Sequence, residues 1–526
     1  MTEIVGVLKL SDKKLHGHTK KGLPIYTFIP LSWTYPTFLV ASSSREKRNL
    51  LAVIQPDKTD EADEKVKKQG QERGTCIQVI GPVEDHQAYD QALILKNNLR
   101  ANLKAHRCVS SEVTPVSHTA DYPKIIVIDP EGSTDCDDGF HISGDYLYVH
   151  IADVDHYFPK NGPYESEIRK RTTSIYSTYK VYHMLPENYA SDIISLNKKG
   201  IKHTLTAVFK ITEHEVSFLR VHQSTVKVAH SLSYESAQDI LELPGSKKNE
   251  DASAGALGET LKRLSEITGS TDTHKMIERI MVWTNEAIAK FIYDNGVNFS
   301  VHCEGPDNIE NPGESSVPLP LPLKLKQILS RKGIGAKYST KQHGHKMMGL
   351  EHYTHFTSPI RRYADLVVHR IVKSILSGHV YNIEELQELE QDAEHINMIT
   401  DWSKKYYRDQ DLLILLSKLP KQGSLQTTAY IIGNEDEVSN KVRIYLTDFD
   451  LLISVPLFAE KLEQVINVTH KVDGSTITLD INGSDTPVTV PLFKEIPVML
   501  TALEAEIRLN RKIRVTFPFI SSAVLS

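Results

Sequence analysis

The chain has 526 residues, of which 40% are hydrophobic, and a formal net charge of -6. This length predicts roughly two to four domains, each with enough apolar residues to form its own core. The charge excludes a general positive field over the protein, so binding of a polyanion would require a local basic channel.

The cysteines are few and scattered, at positions 76, 108, 136 and 303. No Cys-x-x-Cys pair is present, which argues against a zinc site and against a disulfide-stabilised secreted protein. The first residues, MTEIVGVLKLSDKK, lack the apolar segment of a signal peptide, and no run of about 18 apolar residues predicts a membrane helix. We therefore expect a protein of the cytosol, with the nucleus as the alternative, and no membrane partner.

The first 110 residues alternate short apolar runs with polar or Gly- and Pro-containing segments. The runs are Ile4 to Leu8, Pro24 to Ile29, Thr37 to Ala41, Leu50 to Ile54 and Cys76 to Ile80. Runs of this kind predict the strands of a small β-barrel. The charged stretch from Asp57 to Arg73 predicts a solvated loop or surface helix, with RNA contact as the alternative.

Residues 111 to 420 have a mixed α and β character, and a hairpin is predicted around Ser143-Gly144-Asp145. Helices are predicted from Met276 to Asn295, from Pro359 toward Gly378 and from about Ile383 to Leu416. Surface loops are predicted at Leu243 to Glu259 and Glu304 to Pro322, which are rich in Gly, Ser, Pro or charge.

After Pro420 the apolar alternation returns. The predicted strands are Leu425 to Ile432, Lys441 to Leu446, Leu451 to Val455, Thr476 to Ile481 and Lys512 to Phe517. They indicate a second β-barrel. We therefore predict an α+β multidomain fold, with a central mixed α/β domain at residues 111–420 between barrel regions at 1–110 and 421–526.

The most informative segment is DPEGSTDCDDG, residues 129 to 139, which follows an apolar run. Four aspartates in one loop repel one another unless a cation lies among them, and their oxygens favour Mg²⁺ or Mn²⁺. In an extended segment Asp135 and Asp137 would face one way and Asp138 the other, with Asp129 returning from the strand end. The loop could hold two metals. A calcium-binding or solvated acidic turn is the alternative, although no register fits an EF-hand.

A second group is HFTSPIRRYADLVVHR, residues 355 to 370. Ser358-Pro359 suits the N-cap and first position of a helix. Arg361 and Arg362 would then lie in its first turn, where the helix dipole disfavours cations, so we expect a phosphate nearby. Structural pairing of these arginines with Asp365 is the alternative.

Residues 169 to 176, RKRTTSIY, are followed by Tyr179 and Tyr182, so that basic and aromatic side chains alternate. Such a surface suits a single nucleic-acid strand, because tyrosine rings stack on any base while cations follow the backbone. For each tyrosine alone, packing in the core or at the surface is the alternative.

These three groups, in this order, resemble the catalytic domain of the ribonuclease II family over about residues 120 to 420. The acidic motif appears as DPEGSTDCDDG, the signature as HFTSPIRRYADLVVHR, the middle helix as HKMIERIMVWTNEAIAKF and the approach to the signature as AKYSTKQHGHKMMGL. A chance match of four motifs in order is very improbable.

The resemblance implies a 3′-to-5′ exoribonuclease that hydrolyses single-stranded RNA processively to nucleoside 5′-monophosphates by a two-metal mechanism. The cofactor would be Mg²⁺, with Mn²⁺ as a substitute. The flanking barrels would be RNA-binding OB-folds, and the sequence is compatible with a monomer.

The resemblance also gives individual residues their roles. Asp129, Asp135 and Asp138 would bind Mg²⁺, Asp137 would be essential for cleavage, and Arg361 would hold the scissile phosphate. Tyr176 would stack on the terminal nucleotide, while Tyr234, Glu278 and Arg362 would contact the RNA.

The sequence departs from the family pattern at several places. Cys136 and Gly139 stand where the family usually has Met and Ala, Ser177-Thr178 replaces Leu-Pro, and Tyr406 or Tyr407 stands where an acidic residue is expected. Residues 1–110 are also short for two tandem barrels. Every aspartate of the loop is kept, so we expect activity. An RNA-binding or scaffold protein of the same fold that has lost turnover is the alternative.

Overall fold

The computed structural model describes residues 3–12, 15–57, 72–100, 123–197, 200–213, 215–242, 252–303, 321–330, 335–341, 344–434, 441–457, 466–470, 476–481 and 488–518. The chain divides into two compact units, one of residues 1–99, 307–333 and 402–526 and one of residues 100–306 and 334–401. Most of the loops predicted at 57–73 and 304–322, and half of the one at 243–259, lie outside the described residues. Among the helices described, none is both long and apolar enough to cross a membrane.

A closed five-stranded barrel forms the N-terminal segment, as predicted. Its strands are β1 (Ile4–Leu8), β2 (Ile25–Pro30), β3 (Phe38–Ala41), β4 (Leu50–Pro56) and β5 (Glu72–Pro82), in the order β1-β2-β3-β5-β4. The apolar members of the alternating runs fill the interior, where Phe28 and Phe38 meet edge to face. Helix α1 (His86–Lys96) follows, capped by the Asp85 side chain, and was not predicted.

A second closed barrel forms the start of the other unit. The elements are β6 (Lys124–Asp129), β7 (Asp138–Ser143), β8 (Tyr146–Ala152), α2 (Val154–Tyr157), α3 (Glu165–Arg171), β9 (Ile175–Tyr176), β10 (Val181–Tyr182), β11 (Ile201–Ile211) and β12 (Val216–Ser233), with a π-helical turn at Tyr189–Ile193. The barrel order is β11-β12-β6-β7-β8, with β6 parallel to β12. The predicted hairpin is confirmed, because Gly144 turns at positive φ between β7 and β8.

Helices then dominate. The elements are α4 (Tyr234–Glu242), α5 (Ala252–Thr268), α6 (Thr273–Asp294), β13 (Ser300–Cys303), α7 (Leu323–Ser330), β14 (Ala336–Ser339), a 3-10 turn (Lys346–Met348), α8 (Tyr363–Leu376) and α9 (Ile383–Lys418). The predicted helices corresponding to α6 and α9 are confirmed. The surface loop predicted at 243–259 was wrong over 252–259, because helix α5 begins at Ala252. The apolar faces of α6 and α8 belong to the same buried core as the interior of the second barrel.

The predicted start of α8 was wrong by four residues. The helix begins at Tyr363 rather than Pro359, and its N-cap Arg362 has an extended backbone. The backbone N–H of Ser358 donates to Asp365 at 2.7 Å, and the N–H of Ile360 donates to Asp137 at 2.7 Å. These two carboxylates hold the segment before α8 as a turn, so Ser358 is not the N-cap and the arginines precede the first helical turn.

The C-terminal segment consists mainly of antiparallel strands. The elements are β15 (Leu425–Asn434), β16 (Lys441–Leu446), a 3-10 turn (Thr447–Phe449), β17 (Leu451–Pro456), β18 (Ile466–His470), β19 (Thr476–Ile481), β20 (Val488–Pro491), β21 (Glu495–Ala502), α10 (Leu509–Lys512) and β22 (Ile513–Thr516). A five-stranded sheet has the order β17-β16-β15-β21-β22, and β18, β19 and β20 form a separate sheet. The prediction that Thr476–Ile481 belongs to the same sheet as the other four predicted strands was therefore wrong. The fifth strand of that sheet is β21.

Candidate active site

The acidic loop connects two adjacent strands of the second barrel. β6 is an apolar strand whose residues Ile125 to Ile128 are buried, and it ends at Asp129. The chain turns through Gly132, which has a positive φ, and returns as β7, whose first residue is Asp138. Because β6 and β7 are antiparallel neighbours, the end of one lies beside the start of the other. The fold thus brings Asp129 and Asp138 together.

Asp129 and Asp138 form a half-buried carboxylate pair. Burial raises the pKa of Asp129 to about 6. Burial, followed by the charge of Asp129, raises the pKa of Asp138 well above its ordinary value. The Oδ2 atom of each is buried and has no hydrogen-bond partner among the described residues. Two adjacent acceptors without a donor are suited to a shared cation or a shared proton.

Asp137 connects the acidic loop to the turn before α8. Its Oδ1 accepts the N–H of Ile360 at 2.7 Å, and its Oδ2 lies 3.5 Å from Nε of Arg361. The Asp137 side chain is 3% exposed, whereas that of Arg361 is 45% exposed. Burial raises the pKa of Asp137 well above its ordinary value, although the positive charge of Arg361 opposes this rise. The arginine is therefore held from its inner side and is open on its outer side.

Asp135 contacts the tyrosine predicted to stack on RNA. The hydroxyl of Tyr176 donates to Oδ2 of Asp135, and Nδ1 of His183 lies 3.9 Å from the same oxygen. Burial, followed by the charge of Asp135, raises the pKa of Tyr176. The tyrosine as a whole remains 40% exposed. Tyr176 therefore lies beside the acidic loop and is accessible from solvent.

The carboxylates of the acidic loop can supply two ligands to a hard divalent metal, but not three. Within the parts of the chain that the structure describes, no three His, Cys, Asp or Glu side chains converge closely enough to hold a metal ion. Mg²⁺ does not need three, because it commonly binds through one or two carboxylates and keeps several waters. The unpartnered oxygens of Asp129 and Asp138 supply such a pair. Asp135 and Asp137, in contrast, accept hydrogen bonds from Tyr176 and Ile360.

Arg362 differs from its neighbour Arg361. Its guanidinium pairs with the fully buried Asp365, with Nε 2.8 Å and Nη2 2.9 Å from the carboxylate oxygens. Burial is the largest influence and acts to raise the pKa of Asp365, but the charge of Arg362, the charge of His355 and the hydrogen bond from the N–H of Ser358 together hold it below the ordinary value. This geometry matches the structural pairing that was the alternative to RNA contact for Arg362.

Two further predicted residues lie on α4 and α6. Tyr234 begins α4 and stacks on His274 of α6, with ring centroids 3.8 Å apart. Its pKa is raised by burial and then by the charges of Asp138 and Asp129, which places it near the carboxylate pair. Glu278 is exposed on α6, and its charge contributes to the raised pKa of Tyr353. The structure therefore groups Tyr234 with the aspartates, whereas Glu278 is a surface residue of the helix.

Known proteins resemble this chain over the segment that carries the acidic loop. The RNB domain family matches residues 119–270 and 267–378. Ribonuclease R 1 of Lactococcus lactis is 30% identical over 319 residues, which are 48% of this chain and 39% of that protein. Ribonuclease R of Thermotoga maritima is 28% identical over 404 residues, 63% of this chain and 55% of that protein. The chain belongs to the ribonuclease II family.

Solved structures of this family share the fold. RNase R of Mycoplasma genitalium, in complex with ribose-methylated single-stranded RNA, superposes with a TM-score of 0.75 at 18% identity, covering 98% of this chain and 89% of that one. Yeast Ssd1, a pseudonuclease, gives a TM-score of 0.66 at 14% identity, covering 99% and 83%. The predicted α+β multidomain fold is thereby confirmed. The chain spans about half the length of the curated relatives that it matches.

The departures from the ribonuclease II pattern within the acidic loop have distinct surroundings. Cys136 is 2% exposed, and its thiol hydrogen-bonds the carboxylate of Asp129. Burial, followed by the charge of Asp129, raises the pKa of this thiol. Gly139 is packed so tightly that a Cβ atom there would lie 2.6 Å from Cδ1 of Ile125. Both residues are packed against their surroundings. Cys136 contacts Asp129 at the start of the loop, and Gly139 lies against Ile125 of β6.

The late-helix departure lies in the other unit. Tyr406 is fully buried on α9, and its hydroxyl donates to Oδ1 of Asp90 at 2.8 Å. Gln410 donates to both groups, at 3.3 and 2.9 Å. Tyr406 therefore fixes α9 to α1 within this unit, which is a packing role.

Sequence reasoning missed three contributors to the site. The backbone N–H of Ile360 carries no sequence signal, because any residue except proline supplies it. His183 and His274 could have been noticed, since one follows the basic and aromatic segment and the other begins the middle-helix motif. Their positions beside Asp135 and Tyr234 depend on how the loops fold.

Proposed function

We propose that this chain is a 3′-to-5′ exoribonuclease that hydrolyses single-stranded RNA to nucleoside 5′-monophosphates. The observation that carries the proposal is the juxtaposition of the Asp129 and Asp138 pair with Asp137, whose Oδ2 lies 3.5 Å from the half-exposed Arg361. The similarity to proteins named Ribonuclease R supports it, as does the likeness to an RNase R structure that contains single-stranded RNA.

The metal would be Mg²⁺, with Mn²⁺ as a substitute. Asp129 and Asp138 would hold it through their unpartnered oxygens, and the family resemblance adds Asp135 as a third ligand. Bound metal supplies activation of the attacking water and stabilisation of the departing 3′ oxygen. Cys136 hydrogen-bonds the carboxylate of Asp129, whose Oδ2 keeps no partner among the described residues.

Arg361 would bind the scissile phosphate. A phosphodiester gains negative charge during in-line displacement, and a guanidinium placed on its oxygens stabilises that charge. Asp137 lies beside Nε of the guanidinium, and Nη2 donates to the hydroxyl of Ser358 at 3.1 Å, while the side chain stays 45% exposed and accessible to a phosphate. No nucleophilic side chain is required for this reaction.

The direction of degradation and the product depend on which end of the RNA binds beside the acidic loop. Tyr176 presents a partly exposed ring beside Asp135 and would stack on the 3′-terminal base. Tyr234, near Asp138, would contact a neighbouring nucleotide. Cleavage at the phosphate next to the terminal nucleotide releases a 5′-monophosphate, and repeated cleavage without release of the strand would be processive.

The test is degradation of 5′-labelled single-stranded RNA with and without Mg²⁺. We expect progressive shortening from the 3′ end by the wild type in Mg²⁺ and none in EDTA. Asp137→Asn should abolish shortening, whereas Glu131→Gln, which changes an exposed carboxylate of the same loop, should leave it intact.

Each other outcome has a definite meaning. RNA that is bound but left intact in both Mg²⁺ and Mn²⁺ would contradict the enzyme and support the non-catalytic alternative. Cleavage of circular RNA would indicate an endonuclease. Loss of activity in Glu131→Gln as well would show that the loop responds to general charge removal rather than to Asp137.

A further inference from the structure

A buried histidine faces the acidic loop. Nδ1 of His183 lies 3.9 Å from Oδ2 of Asp135, and the two side chains are 10% and 9% exposed. This distance is too long for a hydrogen bond. Nδ1 of His183 is buried and has no hydrogen-bond partner among the described residues. A buried polar atom without a partner costs free energy, so the space between this nitrogen and the carboxylate suits a ligand that satisfies both.

The backbone holds His183 in place before any ligand binds. His183 directly follows β10, which pairs with β9, the strand that carries Tyr176. Nη1 of Arg171 donates to the backbone carbonyl of His183 at 2.6 Å, and Arg171 is itself buried. The same two-stranded sheet therefore brings two side chains to Asp135, the hydroxyl of Tyr176 and the imidazole of His183. Donors that are positioned in advance lose little entropy when a ligand binds.

Asp135 lies within electrostatic reach of the other aspartates of the loop. Burial is the main cause of the raised pKa of Asp129 and of Asp137, and the negative charge of Asp135 adds to both. A cation beside Asp135 would therefore offset repulsion among the loop carboxylates as well as occupy the space beside His183.

Asp135 and His183 supply a second pair of donors, in addition to the unpartnered oxygens of Asp129 and Asp138. A two-metal mechanism requires two such positions. Two ligands of one octahedral ion, each about 2.1 Å from it, lie about 3 Å apart when adjacent and about 4.2 Å apart when opposite. The 3.9 Å between Nδ1 of His183 and Oδ2 of Asp135 falls within this range, so one ion can reach both atoms.

The two donor pairs differ in chemistry. Carboxylate oxygens bind Mg²⁺ and Mn²⁺ alike, so the pair of Asp129 and Asp138 does not distinguish the two ions. Mg²⁺ takes oxygen ligands, whereas an imidazole nitrogen favours first-row transition metals. A position that combines one carboxylate with one imidazole therefore discriminates against Mg²⁺.

We propose that His183 and Asp135 together bind a divalent metal, and that the imidazole makes this position select Mn²⁺ over Mg²⁺. The proposal rests on the proposed function for the presence of two metals, and it adds to that function a nitrogen ligand and a metal preference. The competing explanation is an ordinary ion pair between a protonated His183 and Asp135, which leaves no nitrogen lone pair for a metal.

Electron spin echo modulation of bound Mn²⁺ tests the ligand directly, because a coordinated imidazole nitrogen modulates the echo. The protein is measured without RNA at about two equivalents of Mn²⁺, enough for a two-metal site. We expect nitrogen modulation in the wild type, and a changed pattern when its histidines carry ¹⁵N. His183→Gln should lose the modulation. His18→Gln, which changes an exposed histidine of the other unit, is the matched control and should keep it.

The metal preference is tested by calorimetric titration with Mn²⁺ and with Mg²⁺. His183→Gln should weaken Mn²⁺ binding about tenfold or more, since even changes behind the ligands commonly cost 10- to 100-fold in metal affinity. Its Mg²⁺ affinity should stay nearly unchanged, because Mg²⁺ readily keeps a water in place of the imidazole. His18→Gln should change neither affinity. Thermal unfolding checks each variant, and the wild-type echo decides the question even if His183→Gln fails to fold.

The contrary outcomes are distinct. Bound Mn²⁺ without nitrogen modulation in the wild type would overturn the proposal and favour the ion pair. An equal ratio of Mn²⁺ to Mg²⁺ affinity in the wild type and His183→Gln would overturn the metal preference. A protein that shows the nitrogen signal but leaves RNA intact would refute the proposed function alone, whereas one that shortens RNA without the signal would refute this proposal alone.

Discussion

The carboxylate of Asp137 accepts the backbone N–H of Ile360 at 2.7 Å, and this bond fastens the acidic loop to the turn before α8. The same carboxylate lies 3.5 Å from Nε of Arg361, the next residue. Asp137 thus holds the turn together with Asp365, and it also contacts the arginine that follows. Arg361 and Arg362 are adjacent in sequence, but Arg361 is half-exposed and Arg362 pairs with a fully buried aspartate. Mutating the two arginines should therefore have different effects.

Arg361→Ala should reduce turnover and leave the fold intact. The side chain is 45% exposed and contacts Asp137 alone among the described carboxylates within 4 Å. Losing one transition-state donor costs about 10²- to 10³-fold in rate. RNA affinity should fall less than about threefold, because one phosphate among many is affected. Single-turnover kinetics and RNA titration measure the two effects, and equal losses in both would contradict the assigned role.

Arg362→Ala should instead destabilise the protein. Its guanidinium pairs with Asp365, which is fully buried. Removing one partner of a buried ion pair leaves an uncompensated charge and costs about 3 to 5 kcal/mol. Urea unfolding measures the loss. Lys170→Ala is a suitable control, because its pair with Glu167 is exposed on the lysine side and should contribute less than about 1 kcal/mol. Similar losses in both variants would show that burial of Asp365 is not the cause.

These two arginines show what the sequence could and could not predict. Ser358-Pro359 is a good local start signal, and the helix that follows was predicted correctly from its apolar spacing. Its first turn was not, because Asp137 is more than 200 residues away and takes the N–H of Ile360. The decisive contact is tertiary, whereas capping rules consider only neighbouring residues.

The strands also divide into those that the local sequence predicts and those that depend on neighbouring strands. Short apolar runs predicted all five strands of the first barrel, although only β3 has a strictly alternating burial pattern and β1 is buried throughout. β21 was missed because Pro497 interrupts its pattern, and proline is normally confined to sheet edges. In the structure β22 pairs only with residues 499–502 of β21, so the N–H that proline lacks is not needed on that side. The register of β22 against β21 therefore explains how β21 tolerates a proline, which the sequence of β21 alone does not show.

Gly139→Ala should destabilise the acidic loop in this chain, although the family usually has alanine there. An added Cβ would lie 2.6 Å from Cδ1 of Ile125 and 3.2 Å from both the Ile126 carbonyl oxygen and a methyl group of Val127. Such overpacking costs about 1 to 3 kcal/mol. Ile125→Val removes the methyl group at 2.6 Å, so the double variant should lose less than the sum of the single variants. Urea unfolding of all four proteins gives the coupling, and strict additivity would contradict this contact.

Mg²⁺ should stabilise the wild type against heat, because a ligand that binds only the native state raises its stability. Asp129→Asn or Asp138→Asn should reduce this increase in Tm, since each removes one of the unpartnered oxygens. Asp145→Asn, an exposed carboxylate of the β7–β8 turn, is the control. An undiminished effect of Mg²⁺ in both site variants would place the metal elsewhere.

The same carboxylates should make the metal-free protein less stable as pH rises. The pKa of Asp129 is raised from 3.8 to about 6, so the folded state holds this proton more tightly than the unfolded state. Its contribution to the free energy of unfolding is complete below about 4 and is lost as pH rises through about 6. The difference between wild type and Asp129→Asn, followed by urea unfolding in EDTA, should decrease over this window. A difference that stays constant with pH would contradict the raised pKa.

A histidine pair on the second barrel should have the opposite pH dependence. Nδ1 of His141 lies 2.7 Å from Nε2 of His150, and Nδ1 of His150 lies 2.7 Å from the hydroxyl of Thr206. Burial lowers the pKa of His141 to about 4, and burial followed by the charges of His141 and His222 lowers that of His150 well below its ordinary value. Only one proton fits between these two ring nitrogens. A second proton there would break the hydrogen bond between His141 and His150.

Because both folded-state pKa values lie below the unfolded value of 6.5, the unfolded state takes up protons first. The pair therefore favours the folded state fully above about 6.5, and this advantage is lost as pH falls toward about 4. His150→Gln removes the buried titrating group and should flatten the fall in the free energy of unfolding between pH 6.5 and 4.5, roughly the window set by these pKa values. Subtracting the variant's curve from that of the wild type cancels the carboxylates' contribution, which has the opposite sign. If the two curves ran parallel over this window, the histidines would not titrate as their burial requires.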